Sequence, residues 1–86
     1  MKQIIIREAG GVYWLIKADQ SGTYVPPMMV NDSAAELIRL LLEGNTPQES
    51  ARILSEGEDD LIPVILNDIQ SLCEEVQKQL GVPIGA

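Results

Sequence analysis

Histidine is absent from the chain, and cysteine occurs once, at Cys73. The first absence removes the commonest general base and metal ligand, and a lone thiolate cannot build a cysteine metal site, so zinc and haem have no donor set. Cys73 has no internal disulfide partner and falls at helical spacing among apolar residues, which predicts a buried, inert thiol that reacts only on unfolding. Bases are scarce too: 6 Lys and Arg stand against 13 Asp and Glu, a net charge of −7. No apolar run approaches the roughly 20 residues that a membrane-spanning helix requires. Met1-Lys2 leads directly into Ile4-Ile5-Ile6, without the longer apolar stretch and small-residue cleavage site of a signal peptide. The expectation is a soluble, cytoplasmic protein with no cofactor and no membrane partner.

The acidic excess lies mostly between Glu43 and Glu75, where Arg52 is the single base. A surface of that sign repels phosphate backbones, so nucleic acid is not an expected partner. Asp59 and Asp60 sit where negative charge stabilises a helix N-terminus. Neither Glu58-Asp59-Asp60 nor Glu74-Glu75 shows the alternating oxygen ligands and central glycine of a calcium loop. Gly10-Gly11 is not a phosphate loop, since no helix opening with Lys-Ser or Lys-Thr follows it. Asp32-Ser33 at a helix start resembles the phosphopantetheine site of an acyl or peptidyl carrier protein. Those proteins are helical, however, where this chain has the strand-like Val12-Tyr13-Trp14-Leu15-Ile16, and helix capping already accounts for Ser33. A catalytic role therefore has no residue set to carry it, and the expectation is a protein that is not an enzyme.

What is present is a compact grammar of turns and caps. With 86 residues, 45% of them hydrophobic, the chain is one small domain, near the size at which a single core stabilises a fold only modestly. Ile4 to Glu8 and Val12 to Ala18 are β-branched and aromatic runs joined by Gly10-Gly11, the signature of a two-residue hairpin. Asp19-Gln20-Ser21-Gly22 is a second turn, and Thr23-Tyr24-Val25 starts a third strand that Pro26-Pro27 cuts or bends before Met28-Met29-Val30. Ser33-x-x-Glu36 and Thr46-x-x-Glu49 both read as capping boxes, Pro47 suits a first helical position, and Gly44 can close the first helix. The spacing predicts helices over about Asp32 to Glu43, Pro47 to Glu56 and Asp60 to Leu80. Their buried stripes are Ala34, Leu37, Ile38 and Leu41, then Ala51 and Leu54, then Ile62, Ile65, Ile69, Leu72, Val76 and Leu80. Leu61, Leu66 and Cys73 widen the third stripe, so that helix either packs between two elements or leaves one edge for a partner. Gly81 and Pro83 end it, and residues 83–86 form a loose tail beyond a domain of residues 1–82.

The expected fold class is α+β: a three-stranded antiparallel sheet followed by three helices, a winged helix-turn-helix order. A DNA-binding regulator or an adaptor of that shape is one reading, although Gln48, Glu49 and Arg52 make a weakly basic second helix. The other reading rests on an ordered combination: Val30-Asn31 before a helix, Leu41-x-x-Gly44-x-Thr46-x-x-Glu49, then Asp68-Ile69-x-x-Leu72-x-x-x-Val76 before Gly81-Val82. From Ile4 to Val82 this resembles the PqqD-like family of precursor-peptide recognition domains. The resemblance implies a non-catalytic chaperone that binds the leader of a ribosomally made precursor peptide and delivers it to a modifying enzyme, often a radical SAM enzyme. It also implies the mode, a guest strand added to the edge of the third strand in a groove walled by the third helix. On this chain the expected peptide-binding residues are Thr23, Tyr24, Val25, Met28, Met29, Val30, Leu66 and Cys73. Pro26 and Pro27 remove two donors, one of which would have faced the open edge, so a guest is expected on either side of them and not across.

Overall fold

A computed structural model describes residues 3–22 and 24–84. It is α+β, with three antiparallel strands preceding three α-helices. β1 (Ile4–Ala9) and β2 (Val12–Lys17) pair in register from Ile4 opposite Lys17 to Ala9 opposite Val12. Gly10 and Gly11 close the hairpin at φ of 64° and 80°. Both values lie in the left-handed region, which suits the right-handed twist of the flanking strands and which other residues reach only at a cost. β3 (Met28–Val30) pairs with β2, Val30 opposite Tyr13 and Met28 opposite Leu15, and the order β1-β2-β3 places it at an edge.

The third strand is shorter than the sequence pattern suggests. Tyr24 and Val25 are not strand, and Thr23 lies outside the described residues. A side chain takes the ladder's place: Gln20 Oε1 accepts from the Val25 backbone N–H at 2.9 Å, and Gln20 Nε2 donates to the carbonyls of Val25 (3.3 Å) and Lys17 (3.0 Å). The carboxylate of Asp19 fixes its turn by accepting from the Ser21 hydroxyl and backbone N–H, which together hold its pKa below the usual carboxylate range.

α1 (Asp32–Leu42) starts two residues before the expected capping box would allow. Asn31 is the cap: its side-chain oxygen accepts from Ala34 N–H at 2.8 Å, so Ser33 and Glu36 are exposed residues inside the helix. Asn and Ser cap about equally well, and the one nearer the end of β3 takes the position. At the other end Gly44 N–H donates to Leu41 O and Asn45 N–H to Leu40 O, the paired bonds of a Schellman turn, with Gly44 at φ 102°. α2 (Pro47–Ser55) has its capping box complete: Glu49 N–H donates to Thr46 Oγ1 at 3.1 Å and Thr46 N–H to Glu49 Oε1 at 2.8 Å. That backbone bond, aided by the Thr46 hydroxyl and nearby Arg52, lowers the pKa of Glu49. A short 3-10 turn (Asp59–Leu61) leads into α3 (Ile62–Leu80), which carries Pro63 in its first turn and ends at Gly81, φ 76°.

Two apolar clusters hold these elements together. Ile4, Leu15, Val30, Ala35, Ile38, Val76 and Leu80 join the inner face of the sheet to α1 and the C-terminal half of α3. Leu37, Leu41, Ala51 and Ile69 join the three helices. Leu72 touches both, so α3 packs between two layers and much of its wide apolar stripe is spent there. Ile84 is half-buried against both clusters. Arg39 lies 6.0 Å from the centre of the Tyr13 ring, a cation–π contact between α1 and β2.

Candidate functional site

β3 is the place where the expected peptide-binding residues meet the surface. Alternation along the strand turns Met28 and Val30 toward the first cluster, Val30 buried and Met28 half-buried, while Met29 points away and is 60% exposed. Met29 stands opposite Trp14, which stands opposite Arg7, so one row crosses the outer face of the sheet. Tyr24, 68% exposed, precedes the two exposed prolines. Val25 is half-buried, and both its backbone groups are bonded to Gln20, so it has no free N–H for a guest.

The two helical residues expected beside this strand are elsewhere. Leu66 and Cys73 pack in the second cluster, and with Pro47, Ile69 and Gln70 they line a groove of about 460 Å³ between α3 and the start of α2. The α3 residues that pack with the sheet are Leu72, Val76 and Leu80. On a helix, residues 66 and 73 share a face, and 72, 76 and 80 share another; the sequence alone does not say which face meets the sheet. Cys73 is half-buried in place of the full burial expected of it, and partial desolvation raises its thiol pKa.

A second concavity, of about 430 Å³, lies where the first half of α1 meets the end of α2 and the N-terminal half of α3. Its apolar lining is Leu37, Leu54 and Ile65, and Asp32, Glu36, Glu56 and Asp68 supply four carboxylates. Among the described residues no group of three or more His, Cys, Asp or Glu is placed to hold a metal ion, and no helix is long and apolar enough to cross a membrane. No protein-family model, curated protein or solved structure matched this chain.

What this arrangement offers is a strand edge with an exposed methionine. Its other edge, β1, carries exposed Arg7 and Glu8, the kind of charge that discourages strand addition. The β3 edge carries Met29 and, beyond the prolines, Tyr24, both apolar and exposed.

Proposed function

We propose that this domain is a non-catalytic peptide-binding module of the PqqD-like, winged-helix type, which takes up the leader of a ribosomally made precursor peptide as a fourth strand and delivers it to a peptide-modifying enzyme. The observation that carries the reading is the edge position of β3 together with the 60% exposure of Met29 on it. An edge strand presents unpaired backbone N–H and C=O groups, which give a guest strand affinity, and the side chains around it select the guest. Methionine suits that role because an unbranched thioether adapts to varied partners. The guest pairs with Met28 to Val30 alone. Gln20 has taken the backbone of Val25, and Pro26 and Pro27 have no N–H to give.

The test is titration of the isotopically labelled domain with peptides encoded by short reading frames flanking its gene, followed by amide shifts. The expected result is saturable shifts on Met28, Met29 and Val30 and new cross-strand contacts to the guest. Shifts confined to α2, around Gln48 to Arg52, with β3 silent, would overturn the strand-addition reading.

A further inference from the structure

The groove formed by α1, α2 and the N-terminal half of α3 lies apart from the β3 edge and has no role in strand addition. Its chemistry is specific. Leu37 is buried in the second cluster, Leu54 and Ile65 are half-buried, and the three supply the apolar part of the lining. Asp32, Glu36, Glu56 and Asp68, all exposed, share the lining with them, and no Lys or Arg does. None of the four carboxylates accepts a hydrogen bond from a side chain of the described residues. Ser33 and Glu36 are free to face this groove because Asn31, and not Ser33, caps α1.

A lining of apolar side chains and exposed carboxylates is complementary to an aliphatic side chain flanked by cations. Burial of the aliphatic group supplies the non-directional attraction, and Lys or Arg on either side of it answers the rim and steers the encounter. We propose that this groove docks a basic, aliphatic segment of a partner protein, one that places a leucine or isoleucine between Lys or Arg residues. A metal ion does not suit the site, since the carboxylates are not gathered at one point. A nucleic acid does not suit it either, because its phosphates would meet four like charges. The inference stands independently of strand addition at β3: the groove involves different residues, and either can fail alone.

The probe is a short end-blocked peptide of alternating lysine and leucine, titrated into the labelled full chain at low salt. A lysine–serine peptide and a glutamate–leucine peptide serve as controls. We expect saturable amide shifts on Asp32 to Leu37, Leu54 to Glu56 and Ile65 to Asp68 with the lysine–leucine peptide only. Affinity should fall as added salt shortens the screening length from about 10 Å at 0.1 M to about 3 Å at 1 M. The double variant E36Q/D68N changes two exposed side chains and should weaken binding at least tenfold with an unchanged melting temperature. Equal binding of the lysine–serine peptide, shifts scattered over all acidic surfaces, shifts confined to Met28 to Val30, or indifference to E36Q/D68N would each overturn the proposal.

Discussion

Ser50 is fully buried on α2, and its hydroxyl has no hydrogen-bond partner. Ser55, also buried, satisfies its own by donating to Arg52 O at 2.9 Å. An unpaired buried hydroxyl forfeits hydration without replacement, so Ser50→Ala should stabilise the domain by about 1 kcal/mol. For a chain this short that corresponds to a rise of about 4–8 °C in melting temperature. A fall in melting temperature would mean that the hydroxyl has a partner after all. Cys73 gives a second check at this scale. Half-buried in its groove, it should react with a thiol reagent in the native state, more slowly than a free thiol because the raised pKa keeps it protonated. The same shift makes it a stabilising proton site: its contribution is whole below the unfolded thiol pKa and is lost as pH rises through the higher folded value. Labelling in the folded state should therefore accelerate toward alkaline pH. A rate that is flat with pH and matches global unfolding would restore full burial. The sequence placed both residues on their helices correctly. It could not show that Ser50 points inward, because nothing in a polar residue's identity marks it as buried, nor that a groove opens beside Cys73.

At the scale of elements, local chemistry was read most reliably where a single arrangement satisfied every donor. Gly10-Gly11, the Thr46–Glu49 box, Pro47 and Gly81 all do what their residue types require. The start of α1 is not legible in the sequence, because two capping residues compete within three positions and Asn31 wins by continuing directly from β3. Asn31→Ala should therefore cost about 1 kcal/mol of stability, whereas Ser33→Ala should change it little. Denaturant unfolding of the two variants checks this, and the reverse order would return the cap to Ser33. The third strand was overextended for a different reason. Its β-branched and aromatic residues promise a strand from Thr23, but the side chain of Gln20 reaches the Val25 backbone first and replaces the ladder. The two residues are only five apart, but a side chain that bonds a backbone leaves no periodic pattern in the sequence. If that pairing holds the segment, Gln20→Ala should raise hydrogen exchange at the Val25 amide while leaving the β1–β2 hairpin protected. Unchanged protection at Val25 would show the pairing to be dispensable.

Across the whole molecule, the sheet-then-helices order was legible because strand and helix periodicities are local, and the two-cluster core follows from α3 being apolar on more than one face. Which face met the sheet was not legible. Leu66 and Cys73 therefore went to the wrong side of α3, and the residues that back the strand are Leu72, Val76 and Leu80. Charge acts at this scale as well. With a net charge of −7, the domain should show no measurable affinity for duplex DNA at physiological salt, since binding by counterion release needs several Lys or Arg contacts. A gel shift that weakens steeply with added salt would contradict this.

If the edge at Met28 to Val30 receives a guest strand, Met29 is the most exposed part of the contact. Met29→Asp places a charge on that edge and, lying outside both apolar clusters, should leave the melting temperature within a few degrees of the parent. The decisive measurement is a calorimetric titration of the parent and of Met29→Asp with peptides encoded by short reading frames flanking the gene. Strand addition at this edge predicts a saturable signal from the parent and at least a tenfold weaker one from the variant, about 1.4 kcal/mol. Equal affinities for the two proteins would contradict it.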